Sequence, residues 1–414
     1  MRKKLYKDLP TTLKDGSKPI TSESKGFVFI KKTYEGEYLY NFKDYDALFR
    51  GSTASKTCHF CINSLACKIL KSEFCSGKNF LPAGEYLPTF KKLENSSQLA
   101  SAMGYFYTHI SGWFRNLSKD ENKYYNNIEI PKSDGTMRQI YEPTKKLKII
   151  QARMLETVLY KYIKLPNYVT GCVPGKCTYD NAEPHVNKSV VIKMDLKDFF
   201  PSVYAGRVYK CLLNYFPDHV SKMITRLCCY KGHVAQGIPT SGFLADIAAL
   251  DMDKELVKLC RSRKWDYTRY VDDMTFSVKA GRENVSRTVV DNFIKAVYPI
   301  VGRNCFTINS KKTKIMRRGR RQKVTGIIVN EKPNIPKHNR NIMRAIIHNC
   351  SQRGVDSQKR DLSKKAFIQK VEGYLSYMKR INEPLWEKMS GDWKKAKSWR
   401  PSKTAKKDKQ KAEQ

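Results

Sequence analysis

The sequence predicts an α+β fold, and three observations carry that prediction. Around Tyr270-Val271-Asp272-Asp273, residues Tyr267 and Arg269 before the acids and Met274, Phe276 and Val278 after them fall at every second position. That is the period of two strands flanking a tight turn. Val190-Val191-Ile192-Lys193-Met194-Asp195 is an apolar run that ends in a carboxylate, the pattern of a buried strand delivering an acid to a sheet edge. Helical spacing governs much of the rest: Leu99, Met103, Phe106, Ile110 and Phe114 over 98–117, and, over 337–390, Ile342, Ile346, Ile347 and Cys350, then Phe367, Val371, Leu375 and Met378.

The remaining elements follow in order. Gly26–Ile30 and Tyr38–Tyr40 read as short strands joined by a Lys31–Glu37 loop. Residues 128–141 form two strand-like pieces around Asp134-Gly135. A helix is expected over 147–163, and turn formers crowd 171–189, among them Gly171, Pro174 and Pro184. A helical stretch over 205–230 leads to the loop Gln236–Gly242, an apolar helix over 243–259 and, beyond the acids, an amphipathic helix over 284–298. Lys323–Val329 reads as a strand pair. From Lys394 the chain is lysine-rich and nearly free of large apolar residues after Trp399, the composition of a disordered tail.

Composition limits the partners. A chain of 414 residues can hold two or three domains with a large core. Its 78 Lys and Arg against 39 Asp and Glu leave +39 to be neutralised, and nucleic acid is the favoured counter-charge. A membrane partner is disfavoured, because no apolar run approaches the roughly 18 residues of a spanning helix. The basic start Met1–Leu5 lacks the apolar stretch of a signal peptide, so a cytoplasmic location is expected.

Cysteines in that compartment stay reduced. Eight of the twelve are scattered as small apolar fillers, but Cys58, Cys61, Cys67 and Cys75 cluster. A C-x2-C pair with two further thiols fits a structural Zn²⁺ site. Ordinary reduced thiols fit as well, and the usual iron–sulfur spacings fit less well.

Two adjacent aspartates repel, and near apolar strands they need exposure or a cation. Alone, Asp272-Asp273 is the makings of a solvated turn. If the Val190–Asp195 strand neighbours the hairpin, however, Asp195, Asp272 and Asp273 converge. Converging carboxylates suit Mg²⁺, which takes the rest of its shell from water and substrate phosphates. Two such ions serve in-line displacement at phosphorus, so the chemistry implied is nucleotidyl transfer.

At these residues a resemblance becomes explicit. Asp195–Ser202, Gln236–Gly242 and Tyr270–Asp273, in that order, resemble motifs A, B and C of reverse transcriptases. Asn181-Ala182-Glu183-Pro184-His185 resembles the Asn-Ala-x-x-His element of retron reverse transcriptases, and Val324-Thr325-Gly326 matches a second feature of that group. The resemblance covers about 97–390. It implies a right-hand polymerase fold: fingers and palm over 91–330, a helical thumb over 331–393 and a basic tail over 394–414, after an N-terminal extension over 1–90 with the cysteine cluster.

It also implies roles. Asp195, Asp272 and Asp273 would be catalytic and, with Leu196, would hold two Mg²⁺ ions. Arg138 and Lys132 would grip the incoming triphosphate, arginine through its planar fork. Phe200 would abut the ribose 2′ position and favour deoxynucleotides. Gln236 would lie near nucleotide and template, with Gly237 allowing close backbone approach to a ligand. Lys311 or Lys312 would be the lysine that approaches the leaving pyrophosphate, a surface charge run being the alternative for either.

RNA contact would fall to Asn181 and His185, to Val324, Thr325 and Gly326, and to the basic turn Arg317, Arg318, Arg320 and Arg321, which suits phosphate. By type His185 could also be a metal ligand, but a single histidine without nearby partners is read first as a hydrogen-bonded structural residue.

The implied function is RNA-directed DNA polymerisation, copying part of a cognate structured non-coding RNA into short DNA in bacterial antiphage defence. Its partners would be that RNA as template and primer, the RNA–DNA product, deoxynucleoside triphosphates and an effector or toxin protein. Another defence-associated or group II intron-like reverse transcriptase is one alternative. A non-catalytic RNA-binding scaffold is another, against which the three intact acids argue.

Overall fold

The computed structural model describes residues 90–105, 107–131, 135–279 and 285–399, Thr108 by its backbone alone, together with the backbone of one strand pair nearer the N-terminus. Cys58, Cys61, Cys67, Cys75, Lys132 and residues 400–414 lie outside the described residues, while the first part of the tail expected over 394–414 is instead helical, ending the helix Glu383–Ser398 with Ala396 buried.

That strand pair is β1 (Val28–Thr33) and β2 (Gly36–Asn41), antiparallel with Thr33 opposite Gly36. Pairing therefore continues through residues expected to form the Lys31–Glu37 loop. Helices α1 (Ser96–Ala102) and α2 (Tyr107–Lys119) replace the single helix expected over 98–117, because Gly104, at φ +74°, ends the first one. Strands β3 (Tyr125–Pro131) and β4 (Met137–Pro143) form the expected hairpin. Helix α3 (Lys145–Arg153) runs on into a π-helical turn, Met154–Leu159.

A short helix, α4 (Thr178–Ala182), precedes β5 (Val190–Asp195). The stretch over 205–230 is two helices, α5 (Ala205–Leu212) and α6 (Asp218–Cys228), divided at Pro217, which stands at the N-cap of α6. The apolar helix over 243–259 likewise resolves into α7 (Ser241–Ala248) and α8 (Leu250–Arg263). Then come β6 (Asp266–Tyr270), β7 (Asp273–Val278), α9 (Arg287–Arg303), β8 (Lys314–Arg317), and the two-residue strands β9 (Lys323–Val324) and β10 (Ile327–Ile328). Helices α10 (Lys337–Arg353), α11 (Lys364–Ile381) and α12 (Glu383–Ser398) close the described chain.

The described residues fall into two compact units, one within Met1–Lys164 and Val203–Ala248, the other within Leu165–Ser202 and Ala249–Gln414. In the first, α2 and α5 pack against α6 around buried Leu99, Met103, Ile110, Leu212, Ile224 and Phe243. Arg226 of α6 bonds Glu121 at 2.8 Å and the Leu117 carbonyl, tying α6 to the end of α2.

The second unit is built on a four-stranded antiparallel sheet in the order β6-β7-β5-β8. Register sorts its side chains by face. Tyr267 pairs with Phe276, Arg269 with Met274, Ile192 with Phe276 and Met194 with Met274, so these residues share one face. That face is covered by α8 and α9: Trp265 stacks on Phe293 at 4.0 Å, and Phe293 meets Phe276 edge-on at 5.4 Å. Lys193, Asp195, Asp273, Thr275 and Ser277 occupy the opposite face.

In the same unit α10–α12 bury a second cluster that includes Phe367, Val371, Leu375, Met378 and Trp393. Its α10 contribution is Met343, Ile347 and Cys350, whereas Ile342, expected in the core, is exposed. Ile347 and Cys350 hold the stripe as expected and Ile346 packs against its edge, so the one change is Met343 in place of Ile342. Ser363 and Asn382 cap α11 and α12 through Ala366 N and Leu385 N. Among the described residues no helix is long and apolar enough to cross a membrane.

Candidate active site

The site is assembled at one end of the four-stranded sheet. The β5–β7 register sets Asp195 opposite Asp273, and Val271 and Asp272 form the turn that joins β6 to β7. Leu196 N donates to the Asp272 carbonyl at 3.0 Å, and Asn309 N donates to the Asp195 carbonyl at 2.7 Å. The end of β5 is thus stitched to the acid-bearing turn on one side and to the segment before β8 on the other.

Two lysines attend the acids. Lys193 Nζ lies 3.0 Å from Asp273 Oδ2, and Lys312 Nζ lies 3.1 and 3.0 Å from the two oxygens of Asp195. Burial first, then the charge of Asp195 and less strongly that of Asp273, holds the Asp272 carboxyl above the usual carboxylate range, with Lys312 pulling it back. The hydrogen bond to Asp195 raises the Lys312 ammonium in turn. Lys312, rather than its neighbour Lys311, is therefore the lysine that reaches the acids.

The turn itself is strained. Val271 sits at φ +58°, a left-handed conformation that β-branched residues seldom adopt. A Cβ on Gly171 would fall 2.5 Å from Val271 N and 2.7 Å from its Cγ2, so only glycine lets that segment lie against the turn. Arg269 Nη1 donates to the Val271 carbonyl at 2.9 Å.

Comparison with known proteins shows the family. Residues 130–347, over half of the chain, match the family model described as reverse transcriptase (RNA-dependent DNA polymerase). The chain is 31% identical over 253 residues to the retron Ec86 reverse transcriptase of Escherichia coli, an alignment covering 61% of this chain and 74% of that one. The chain belongs to the retron reverse transcriptase family. Against the retron Mx65 reverse transcriptase of Myxococcus xanthus it is 29% identical over 323 residues, covering 73% of this chain and 71% of that protein. Among solved structures, an apo telomerase from Candida tropicalis superposes with a TM-score of 0.37 at 13% identity, over 56% of this chain and 61% of that one.

The right-hand polymerase fold expected from the motif order is that of the family, and the enzyme is an RNA-directed DNA polymerase. The two elements that resemble the retron group lie against each other. Asn181 Nδ2 lies 3.4 Å from Thr325 Oγ1, which itself donates to the Thr178 carbonyl at 3.0 Å. Thr170 Oγ1 bonds both Asn181 Oδ1 and the Arg269 carbonyl at 3.0 Å. His185 is fully buried, with Nδ1 2.7 Å from Ser277 Oγ and Nε2 2.8 Å from Thr268 Oγ1, bridging β7 and β6 on the sheet face that carries Asp195 and Asp273. Asn181, His185 and Val324 have no exposed surface. The RNA contact expected of these three is corrected accordingly: their side chains are spent on holding the palm together. Thr325 and Gly326, half-buried, form the turn between β9 and β10.

Phe200 is half-buried and sits 5.7 Å from the ring of Phe199, which packs on Phe306 at 5.6 Å. Arg318, Arg320 and Arg321 are exposed, and Arg317 is half-buried with Nη1 donating to the Val285 carbonyl. In the other unit Arg138 lies exposed on β4, and Tyr141 N of the same strand donates to the Gln236 carbonyl at 2.8 Å. Gly237, at φ +104°, does make a close approach, but its neighbour is the β4 backbone: an added Cβ would fall 2.7 Å from the Tyr141 carbonyl oxygen.

Three residues with structural consequences escaped the sequence reading. Buried Arg269 and Asp253 form an ion pair, with Nε to Oδ1 at 2.9 Å and Nη2 to Oδ2 at 2.7 Å. Buried Gln322 donates to the Lys188 and Met316 carbonyls at 3.1 Å, anchoring the end of the arginine-rich turn. Arg269 and Asp253 stand among the buried positions of their strand and helix, whereas Gln322 lies between exposed Arg321 and Lys323 and carries no local signal.

The donor set suits Mg²⁺. It consists of hard carboxylate oxygens, and the Asp272 carboxylate is destabilised as an anion by burial and then by the charge of Asp195, a condition a cation relieves. Among the described residues no three His, Cys, Asp or Glu side chains close into a ready-made cage. Magnesium does not need one, since one or two carboxylates plus substrate phosphates hold it. Lys193 and Lys312 occupy the carboxylates meanwhile.

Proposed function

We propose that this enzyme copies part of a cognate structured non-coding RNA into short DNA in bacterial antiphage defence, using the acids at the β5–β7 end as its catalytic centre. The observation that carries the assignment is the register setting Asp195 opposite Asp273, with Asp272 in the adjoining turn under the charge of both.

When bound, two Mg²⁺ ions activate the attacking hydroxyl and stabilise the departing pyrophosphate oxygen. Asp195 and Asp272, with the Leu196 backbone and Asp273 beside them, would hold those ions. Asp273 starts from its ion pair with Lys193 and Lys312 from its pair with Asp195, and Lys312 is assigned to the leaving pyrophosphate on the family resemblance. Phe200 offers an aromatic edge where a ribose 2′-hydroxyl would need a polar partner, which favours deoxynucleotides. Arg138 and Lys132 are assigned to the triphosphate and Gln236 to the nucleotide and template, on the family resemblance.

The exposed arginines Arg318, Arg320 and Arg321 are assigned to the RNA phosphate backbone. Asn181, His185 and Val324 are assigned an influence on RNA through the shape of the palm, while the half-buried turn residues Thr325 and Gly326 keep their assignment to RNA contact. An effector or toxin partner, a cytoplasmic location and a structural Zn²⁺ at Cys58, Cys61, Cys67 and Cys75 belong to the same proposal.

A primed RNA template, deoxynucleotides and Mg²⁺ test it. The protein extends the primer, Asp272→Ala/Asp273→Ala does not, and Phe200→Ala incorporates ribonucleotides more readily. Equal extension by the acid-deleted variant removes the site assignment. Sequencing nucleic acid that co-purifies with the protein should return one discrete RNA joined to short DNA.

A further inference from the structure

Arg269 stands one residue before the Tyr270-Val271-Asp272-Asp273 segment, in a strand that is otherwise apolar on its face. A guanidinium there is costly to bury, yet it is fully enclosed, as is the Asp253 carboxylate it meets from α8. Every edge of the group is used: Nε and Nη2 make a two-pronged contact with Asp253, and Nη1 bonds the Val271 carbonyl at 2.9 Å. The plane lies 5.8 Å from the Phe199 ring, next to the residue assigned to the sugar. Asp253 is itself fixed by Tyr267, whose hydroxyl donates to Oδ1 at 2.6 Å.

We propose that Arg269, held by Asp253, is a positioning residue that pins the Val271 carbonyl and thereby fixes the direction in which Asp272 presents its carboxylate. Three observations converge on this. The carbonyl it grips belongs to the one residue between Tyr270 and Asp272, and that residue is in the left-handed region. The next peptide carbonyl, that of Asp272, accepts from Leu196 N, so the turn is gripped at successive peptides. Gly171 packs on the same turn, where an added Cβ would fall 2.5 Å from Val271 N. A turn clamped at both carbonyls and backed by a glycine cannot relax its strain by rotating a peptide. Lysine in place of Arg269 keeps the charge against Asp253, but a point charge cannot serve the carboxylate and the carbonyl in two directions as the fork does.

The inference rests on the catalytic site proposed above, and its test separates the two. Arg269→Lys is compared with the unaltered enzyme in three readouts: amide hydrogen exchange of the 266–278 hairpin without metal, Mn²⁺ binding followed by electron paramagnetic resonance, and steady-state kinetics with a deoxynucleoside triphosphate. Faster exchange confined to Tyr270–Asp273 is expected. With it, Mn²⁺ affinity should fall about tenfold, the loss typical of a group that orients a ligand. A kcat loss of about 100-fold with KM little changed is also expected, as for a small misplacement of reacting groups.

Unchanged exchange in the turn overturns the clamp, whatever happens to activity. So does a loss of activity that merely tracks thermal stability with Mn²⁺ binding intact. Absence of Mn²⁺ binding in the unaltered enzyme would contradict the catalytic site instead, while the exchange readout still judges the clamp. Should Arg269→Lys not fold, Asp253→Asn/Arg269→Gln removes both charges together, a change buried pairs tolerate better than loss of one partner, and it carries the same three readouts.

Discussion

At His185 two hydroxyl partners and complete burial enforce a neutral imidazole. Burial, aided by the charge of Lys188, pushes its pKa down to about 3 from the ordinary 6.5. The consequence for stability has a definite sign. The unfolded chain takes up a proton at His185 below pH 6.5 and the folded one does not. Stability from this residue is therefore complete above 6.5 and drains away as pH falls toward about 3. His185→Gln should flatten the acid limb of Tm against pH across that window, and an unaltered limb would show that another group sets it.

Of the readings the sequence left open for this histidine, metal ligand, RNA contact or structural residue, the pair of hydrogen bonds supports the structural one. Arg269, Asp253 and Gln322 were not legible, because in a one-dimensional pattern a polar residue marks an exposed face. Only the fold shows that each has a partner directly opposite.

The hairpin is the element on which the site turns, and it was the most legible part of the chain. Strict alternation in Tyr267, Arg269, Met274 and Phe276 follows from packing one sheet face against α8 and α9, and Asp195 closes a run whose other members are nearly all buried. Strain in the turn was not legible, since valine is a strand former and nothing local announces a left-handed φ. Holding Val271 there costs on the order of 1–3 kcal/mol, which the surrounding contacts must over-determine.

Gly171→Ala tests that balance. Its Cβ would meet backbone at 2.5 Å, which cannot swing aside as a side chain can. A stability loss of about 1–3 kcal/mol by denaturant unfolding is expected from the overpacking, together with slower primer extension. A variant as stable and active as the parent would mean that the segment before α4 is free to move away from the turn.

Helix ends were the least legible elements. Gly104 and Pro217 each divide one predicted helix, and α7 and α8 meet at Ala249 without any breaker to mark the division.

Over the whole molecule, an excess of 39 positive charges and three ordered motifs were enough to place the chain among nucleic-acid polymerases before any contact was known. What they could not convey is how a site of three acids is kept intact in a free enzyme. The structure's answer is electrostatic: Lys193 and Lys312 lie on Asp273 and Asp195, leaving Asp272 to bear the repulsion. Lys312 is mostly exposed, so its pairing is screened and readily exchanged. The two segments that resemble the retron group meet through Asn181 and Thr325, so the buried members of both serve the packing of the palm.

The most direct measurement is a structure determined with an RNA–DNA primer–template, a non-reactive deoxynucleotide analogue and Mn²⁺, locating the metal by its anomalous signal. The account predicts metal against the carboxylates of both Asp195 and Asp272, with the Lys312 ammonium displaced from Asp195. Manganese bound elsewhere, with Lys312 still on Asp195 and nucleotide in place, would contradict it.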